Sequence, residues 1–401
     1  MSGNQLTQTM SRPETLSGTI TKAVADLDLS DAIQYHYDRF PPAIRDYARL
    51  VKPIARASAA LARYDQMLKG MHNAEILLAP LRSQEAVLSS RIEGTISTLD
   101  EVLKYEADQE SADVNSRDDG GNYRSETIEV HLYTRAMRYA QAQIKEGAPI
   151  GDWLLRSSHR MLLSFGRGAI MSPGQYKTEQ NYLADTGRRK VLFVPISPER
   201  LQDGMDRLFI FMNDDNWEIL VRTALVHLEF EALHPFKDGN GRIGRMLIPL
   251  MLWKFGMIAE PCFYMSGYLE QRRDEYIDRM RAVSASDEWD DWIIFFMEAM
   301  AFQAQENLEK AEHIRALYEE MKERFRHYLS SQWSTTALDF VFTRPIFRNN
   351  VFTSRSGIPA PTAHRFVRVL TENGLLETLM PASGRRPAMY AFEPLLGLVR
   401  G

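Results

Sequence analysis

The sequence predicts a mainly α-helical protein with one β-hairpin and a C-terminal winged helix-turn-helix. Apolar residues recur at three- and four-residue steps through most of the 401 residues, which is the spacing of amphipathic helices. Strand-like runs are rare, and two of them, QNYLA and KVLFV, flank an Asp-Thr-Gly turn signal. The chain is too long for one ordinary core, so we expect two or three domains.

The composition is that of a globular protein without a strong charge. Hydrophobic residues make up 44% of the chain, and the formal net charge of -5 gives no global reason to bind nucleic acid or membranes. The single cysteine, Cys262, excludes an internal disulfide and a cysteine-based zinc site, and it fits a reducing compartment. The first residues lack the pattern of a signal peptide, and Lys254 interrupts the longest apolar run. We therefore expect a cytoplasmic protein that does not contact a membrane.

The first part of the chain divides into three segments. Residues 1–28 are polar and are expected to form a disordered tail, and residues 29–115 form an N-terminal helical region. The acidic, glycine-bearing stretch from Ala107 to Glu126 has no periodicity, so we expect a loop or linker there. Residues 116–301 then form a core in which two amphipathic helices precede the hairpin.

The C-terminal part of the chain changes pattern twice. Residues 302–331 are charged, with apolar residues at a/d-like spacing, which predicts a connecting helix. In residues 332–401, two short helices precede a third helix that ends at Asn373 and Gly374, and a hairpin with its turn at Gly384 follows. This order of elements predicts the winged helix-turn-helix.

The stretch HPFKDGNGRIGR, from His234 to Arg245, concentrates polar residues between two apolar runs. Its glycines expose backbone N–H groups, and the helix that follows places unpaired amides where an anion such as phosphate would bind. Arg242 and Arg245 lie three residues apart on the first turn of that helix and can bind the same anion. Asp238 is a hard oxygen ligand suited to Mg²⁺, and a neutral His234 can accept a proton from a hydroxyl nucleophile.

The glycines of this stretch also occur in other nucleotide-binding motifs. A dinucleotide-binding fingerprint needs a strand before its glycines, whereas a helix precedes these, and the Lys-Ser or Lys-Thr pair of a P-loop is missing. Each residue alone could be structural: the glycines a helix cap and turn, the arginines a solvated face, and His234 a core histidine. The coincidence of all of them within twelve residues favours a phosphate site.

The same twelve residues resemble the motif of the Fic family, His-x-Phe-x-Asp/Glu-Gly-Asn-Gly-Arg-x-x-Arg, at every defining position. The stretch from PGQYKTEQNYL to VLFVPISPE is similar to the flap hairpin with which this family binds an extended segment of its target protein. SSRIEGT is similar to the family's inhibitory motif, matched by Ser89, Glu93 and Gly94. The resemblance spans about residues 30–300, and a C-terminal winged helix is a common addition in the family.

The resemblance implies transfer of AMP from ATP to a Tyr, Thr or Ser hydroxyl of a target protein, with Mg²⁺ as cofactor. His234 would be the general base, Asp238 the metal ligand and Phe236 the apolar anchor of the loop. Asn240 would hold the α-phosphate. The remaining residues implied to contact ATP are Pro235, Lys237, Gly239, Gly241, Arg242 and Arg245.

Two further residues are weaker candidates for ATP contacts. Gln271 stands in YLEQRRDEY at a position where the family more often has asparagine, and a surface helix residue is a near-equal alternative. Glu229 precedes His234 by about one helical turn, and a partly exposed helix glutamate is the favoured alternative there.

The resemblance also implies regulation and target binding. Glu93 would pair with Arg245 and occupy the place of the γ-phosphate, so that ATP binds in a misaligned pose; related enzymes use this glutamate to help remove AMP as well. Residues of the flap would bind the target: Gln180, Asn181, Tyr182, Leu192 and Phe193. The target protein and the oligomeric state, including a homodimer, stay open.

A different class of function is a DNA-binding regulator with a nucleotide-sensing core. Arg365 and Arg368 would lie on the recognition helix, and Arg385 and Arg386 on the wing. Four arginines are a small electrostatic footprint, and winged helices also bind proteins. Within the family, phosphate and phosphocholine transfer are known alternatives to AMP transfer, but the intact glycines and arginines favour a whole ATP triphosphate.

Overall fold

The computed structural model describes residues 28–71, 73–115, 123–185 and 190–400. The predicted tail, residues 1–28, lies almost wholly outside these ranges. The fold is mainly helical, as predicted, with two small sheets. None of the helices in the described ranges is long and apolar enough to cross a membrane.

The N-terminal region is built from four helices over the described residues. They are α1 (Tyr47–Lys69), α2 (Ala74–Leu77), α3 (Ala79–Ile92) and α4 (Leu99–Asn115). The core follows with eight: α5 (Ser125–Lys145), α6 (Asp152–Leu162), α7 (Pro198–Met212), α8 (Ile219–Leu233), α9 (Asn240–Lys254), α10 (Ser266–Gln271), α11 (Arg273–Ser286) and α12 (Trp289–Leu329).

Helix α8 lies at the centre of this core. Nearly all of its residues are buried, and a helix that is apolar all round has to be enclosed by its neighbours. It packs against α7, α9 and α12. The loop between α8 and α9 carries the sequence motif, so the motif is attached to the two most deeply buried helices of the protein.

The predicted hairpin is present as β2 (Leu183–Asp185) and β3 (Lys190–Val194), which pair antiparallel. A further strand, β1 (Ile33–Gln34), pairs parallel with β3. The sheet order is therefore β1-β3-β2, which leaves β2 at one edge. The sequence did not predict β1, because two residues are too few to show the alternation of a strand.

The expected loop from Ala107 to Glu126 is wrong over its first part, because α4 continues to residue 115. Residues 116–122 lie outside the described ranges. The end of α4 shows no apolar periodicity because it is held by polar contacts. Asp108 accepts hydrogen bonds from Arg348 Nε at 2.6 Å and from Arg386 Nη2 at 2.8 Å.

The connecting helix predicted for residues 302–331 is part of a longer element. Helix α12 has 41 residues, and its first part is buried in the core through side chains such as Trp292 and Phe296. It ends at Leu329, where Ser330 adopts a left-handed conformation with φ of 45°. One helix thus runs from the core to the C-terminal region.

The C-terminal region contains the three predicted helices and the predicted hairpin, and in addition a strand after the first helix and a helix at the end. They are α13 (Ser334–Thr343), β4 (Ile346–Arg348), α14 (Asn349–Arg355), α15 (Ala360–Glu372), β5 (Glu377–Met380), β6 (Met389–Ala391) and a last helix, α16 (Glu393–Val399). The strands form a sheet of order β4-β6-β5. Gly374 and Gly384 have φ of 68° and 56°, as turns after a helix and between strands require.

Candidate active site

The motif loop has a fixed conformation. His234 ends α8 in the left-handed region, with φ of 46°, and Gly239 precedes α9 with φ of 78°. The Asn240 side chain accepts from Phe236 N and donates to Phe236 O, both at 2.8 Å. Phe236 is fully buried and stacks on the His159 ring at 3.7 Å, so it anchors the loop as the resemblance implies.

Asn240, which is expected to hold the α-phosphate, bonds to the backbone of the motif loop. Its side chain is 1% exposed, and both of its polar atoms bond within the loop. An asparagine amide has two N–H donors and two acceptor lone pairs, and one of each is used within the loop. In this conformation the Asn240 side chain fixes the shape of the motif loop.

His234 lies at the floor of a pocket. The pocket is lined on its polar side by Glu93, Glu231, His234, Gly241 and Arg245, and on its apolar side by residues that include Ile92, Leu192, Phe193, Ile277 and Met280. Burial lowers the pKa of His234 to about 4, and the charge of Lys177 adds to this, while the charges of Glu93 and Asp238 oppose it. The imidazole is therefore neutral near pH 7 and able to accept a proton.

The two motif arginines begin α9 and are both buried. Arg242 donates from Nη2 to the Asp238 carboxylate at 3.4 Å, but its Nε and Nη1 have no hydrogen-bond partner among the described residues. Arg245 donates from Nε to Ser89 Oγ at 2.9 Å and from Nη2 to Ser89 O at 2.9 Å. Buried donors without acceptors are rare, so these two donors mark a place where an anion could bind.

Glu93 meets the second arginine, as the sequence predicted. Its Oε1 accepts from Arg245 Nη2 at 2.6 Å, and the same oxygen lies so close to Gly241 that a side chain there would collide with it. Burial raises the pKa of the Glu93 carboxyl, but the charge and hydrogen bond of Arg245, together with Arg242 and His234, lower it by more, so the pKa lies below its ordinary value. Gly94 follows with φ of 84° and turns the chain away from α3.

Asp238 and Lys237 lie at the rim of the site. The Asp238 side chain is 44% exposed and accepts from Gly239 N at 2.6 Å. Lys237 Nζ is 4.0 Å from a Glu179 carboxylate oxygen, outside the motif. Within the described ranges, no three His, Cys, Asp or Glu side chains come together as a metal-binding cluster.

The predicted flap residues divide between two faces. Leu192 and Phe193 line the pocket, whereas Tyr182 is half-buried and is not one of its lining residues. Gln180 donates to Asn181 O at 3.0 Å and to Pro195 O at 3.1 Å, which ties the two sides of the hairpin together. Asn181 is fully buried and points to the motif loop, so its side chain is not presented to a target.

The two weaker candidates lie away from the pocket. Glu229 is neither a partly exposed helix residue nor a pocket residue: it is 1% exposed and bonds to Tyr35 Oη at 2.5 Å and His36 Nε2 at 2.7 Å. These two aromatic side chains follow β1, so Glu229 joins the N-terminal segment to α8. Gln271 is exposed at the end of α10.

Sequence reasoning missed three residues of the site. His159 contacts Asp238 O through Nε2 at 2.8 Å, and Lys177 Nζ donates to Leu233 O at 3.1 Å. Glu231 lines the pocket with one carboxylate oxygen buried and without a hydrogen-bond partner in the described chain. Burial raises the pKa of Glu231 to about 8, partly offset by Arg245, so this acid is largely protonated at neutral pH.

Comparison with known sequences identifies the two central regions. Residues 51–142 match the family described as Fic/DOC family N-terminal, and residues 150–252 match the Fic/DOC family. Protein adenylyltransferase fic-1 of Caenorhabditis elegans is 32% identical over 101 residues, which are 24% of this chain and 18% of that protein. The protein adenylyltransferase Fic of Nematostella vectensis is 32% identical over 127 residues, 30% of this chain and 27% of that protein. The matches therefore span less than a third of these two relatives.

A further sequence and two solved structures resemble the chain over larger shares of their lengths. A Fido domain-containing protein of Dictyostelium discoideum is 31% identical over 120 residues, 29% of this chain and 74% of that protein. A Fic family protein from Desulfovibrio desulfuricans has the same fold with a TM-score of 0.53 at 18% identity, covering 88% of this chain and 97% of that one. A Fic domain-containing protein from Bacteroides thetaiotaomicron has a TM-score of 0.51 at 17% identity, covering 65% and 97%. The solved structures show the fold, and the Fic/DOC match together with the Dictyostelium relative shows that the chain belongs to the Fic/DOC family.

Proposed function

We propose that the chain is a protein adenylyltransferase, which moves AMP from ATP to a Tyr, Thr or Ser hydroxyl of a target protein and releases pyrophosphate. The observation that carries the proposal is the state of Arg242, whose Nε and Nη1 are buried without a partner in the described part of the chain. These donors lie on the first turn of α9, where backbone N–H groups attract an anion. The phosphates of ATP would supply the missing acceptors.

The residues present fit ATP together with Mg²⁺. Asp238 offers a partly exposed carboxylate beside the N-terminus of α9. Mg²⁺ is usually held by one or two carboxylates together with phosphate oxygens and water, so a cluster of protein ligands is not required. The bound ion would neutralise charge on the phosphates during transfer. The apolar wall formed by Leu192, Phe193 and Ile277 would cover the nucleobase.

In the proposed reaction His234 accepts the proton of the attacking hydroxyl. The negative charge of bound ATP would raise its low pKa towards the operating pH, where general bases are most effective. The hydroxyl oxygen forms the new bond to the α-phosphorus while the bond to pyrophosphate breaks. Arg242 and Arg245 would hold the β- and γ-phosphates and stabilise the charge of the leaving group.

The same proposal gives Glu93 an inhibitory role. Its carboxylate neutralises Arg245 at 2.6 Å and lies against Gly241 at the start of α9. A γ-phosphate and the Glu93 carboxylate would therefore compete for one guanidinium. A displaced triphosphate would misalign the α-phosphate with the hydroxyl, and such displacements can lower a rate by about 10²-fold.

Target binding is proposed at the edge strand β2. The outer edge of this strand is unpaired within the described sheet, and an extended peptide can pair with such an edge through its backbone. Leu192 and Phe193 on the neighbouring strand belong to the pocket wall, so a target segment on β2 would lie beside the site. Recognition through the backbone leaves the side chain that carries the hydroxyl unspecified.

DNA binding by the C-terminal region has less support. Arg386 is held by Asp108 at 2.8 Å, Arg365 donates to Leu329 O at 3.2 Å, and Arg368 lies 4.0 Å from Glu372. Two of the four arginines expected to contact DNA thus donate hydrogen bonds within the protein, and Arg368 has an exposed carboxylate nearby. A winged helix in this position would serve as a packing partner of α4.

Incubation of the Glu93→Gly protein with a cell lysate, Mg²⁺ and ATP labelled on the α-phosphate tests the proposed function. We expect labelled proteins, with the AMP on Tyr, Thr or Ser hydroxyls in mass spectra. The matched control carries His234→Ala in addition and should give no label. Label found only on small molecules, or equal labelling by the control, would contradict the proposal.

A further inference from the structure

Two side chains on the segment before the hairpin bind the backbone on both sides of His234. Lys177 donates from Nζ to Leu233 O at 3.1 Å and from its backbone N to Pro235 O at 2.8 Å. Asn181 donates from Nδ2 to His234 O at 3.0 Å and to Phe236 O at 3.1 Å. Four successive carbonyls, those of residues 233–236, therefore have their donors on Lys177 and Asn181.

The last carbonyls of a helix have no partners within it, so the end of α8 needs donors from elsewhere. The need is greater here because His234 has φ of 46°, a conformation that residues other than glycine rarely adopt. Such a conformation persists only when its surroundings hold it in place. Lys177 and Asn181 supply that support, and Lys177 Nζ also donates to Asn181 Oδ1 at 2.7 Å, which joins the two side chains.

Both side chains are costly to bury, which argues that their placement is specific. Lys177 is 3% exposed and Asn181 is fully buried. A buried ammonium or amide is tolerated only with hydrogen-bond partners, and these partners are the carbonyls next to the general base. Asn181 therefore faces the motif loop although the hairpin that follows it was expected to face the target.

We propose that Lys177 and Asn181 are positioning residues for His234. They hold the backbone of residues 233–236 so that the imidazole points into the pocket beside Glu93 and Arg245. The inference deepens the proposed function and rests on His234 as the general base of that reaction. It assigns to Asn181 a role in catalytic geometry and not in target binding.

The first test follows the His234 imidazole itself and needs no activity. NMR titration of protein with ¹⁵N-labelled histidine, with the His234 signals assigned by their loss in His234→Ala, gives the midpoint of its protonation. Lys177→Met and Asn181→Ala should raise this midpoint towards the ordinary value of about 6.5, because the ring loses a nearby charge or its enclosed position. Lys177→Arg keeps the charge and donors and should leave it unchanged, as should Thr178→Ala, a change at an exposed neighbour. An unchanged midpoint in both Lys177→Met and Asn181→Ala would overturn the inference.

The second test is kinetic and uses Glu93→Gly as the parent. Lys177→Met and Asn181→Ala should lower kcat by roughly tenfold or more while the KM for ATP stays within about threefold, since a misplaced base slows the chemical step and not binding. Lys177→Arg should restore most of the rate, and Thr178→Ala should match the parent. A raised KM with unchanged kcat would overturn the inference. If the Glu93→Gly parent transfers no AMP, the proposed function fails, and the NMR titration alone decides the positioning role.

Discussion

At the residue scale, the site depends on a general base held neutral and on an arginine held by a carboxylate. Burial keeps the His234 imidazole uncharged, with its pKa at about 4. Arg245 is 2% exposed, and a buried guanidinium is stable only while acceptors surround it. Ser89 supplies two of these acceptors and Glu93 the third, so the Glu93 contact also satisfies a buried charge.

Removal of the general base should abolish transfer and leave ATP binding intact. Glu93→Gly with His234→Ala should transfer AMP about 10²- to 10⁴-fold more slowly than Glu93→Gly alone, the range typical of a lost general base. Calorimetry should give similar ATP affinities for the two proteins, because the phosphate donors are elsewhere. A double variant that reacts at the rate of Glu93→Gly would show that another group accepts the proton.

The pH at which activity is lost on the acid side should lie well below the ordinary pKa of a histidine. In Glu93→Gly one of the charges that oppose the low pKa of His234 is gone, so its pKa stays near or below about 4. The value of kcat/KM for ATP reports the free enzyme, and at saturating Mg²⁺ we expect it to stay flat as the pH falls through about 6.5. A half-loss of kcat/KM close to pH 6.5 would mean that the imidazole titrates normally and is not buried as described.

At the scale of elements, α4 connects the turn at Gly94 to the C-terminal region. It begins shortly after Gly94 and bonds through Asp108 to Arg348 and Arg386, and through Glu110 to Arg344 at 2.8 Å. Its polar contact face explains why periodicity predicted a linker there. Apolar patterns reveal only those elements that are held by apolar contacts, whereas α4 is held at its end by charges.

Loss of the Asp108 carboxylate should loosen the C-terminal region. The Arg348 side chain is 1% exposed and that of Asp108 6%, and breaking such a buried pair costs about 3–5 kcal/mol of stability because one charge is left unpaired. We expect Asp108→Ala to lower the urea concentration at which the C-terminal region unfolds, with hydrogen exchange as the measurement. Glu372→Ala removes an exposed carboxylate near Arg368 and should change stability by about 1 kcal/mol or less. Equal midpoints for Asp108→Ala and the wild type would exclude a stabilising role for the pair.

At the scale of the whole molecule, the sequence predicted what is contiguous and missed what is assembled from distant segments. The motif loop agrees with expectation because it is encoded in a short run, whereas the contact of Glu93 with Arg245, 152 residues apart, was expected only from the resemblance to the Fic family. Leu192 and Phe193 were expected to bind the target, and they line the pocket. His159 and Asp238 are 79 residues apart, and no local pattern connects them. The sequence also does not show that the Asn240 amide bonds to the backbone of Phe236 within the loop.

The measurement that most directly tests the account is the intact mass of purified Glu93→Gly after incubation with ATP and Mg²⁺. We predict the added mass of AMP on this variant, little or none on the wild type, and none above wild type on Glu323→Gly, an exposed glutamate on α12 that serves as control. Adding Arg245→Ala to Glu93→Gly should remove the gain, since Arg245 is the group that Glu93 occupies. No added mass on Glu93→Gly, or the same gain with and without Arg245, would contradict the account.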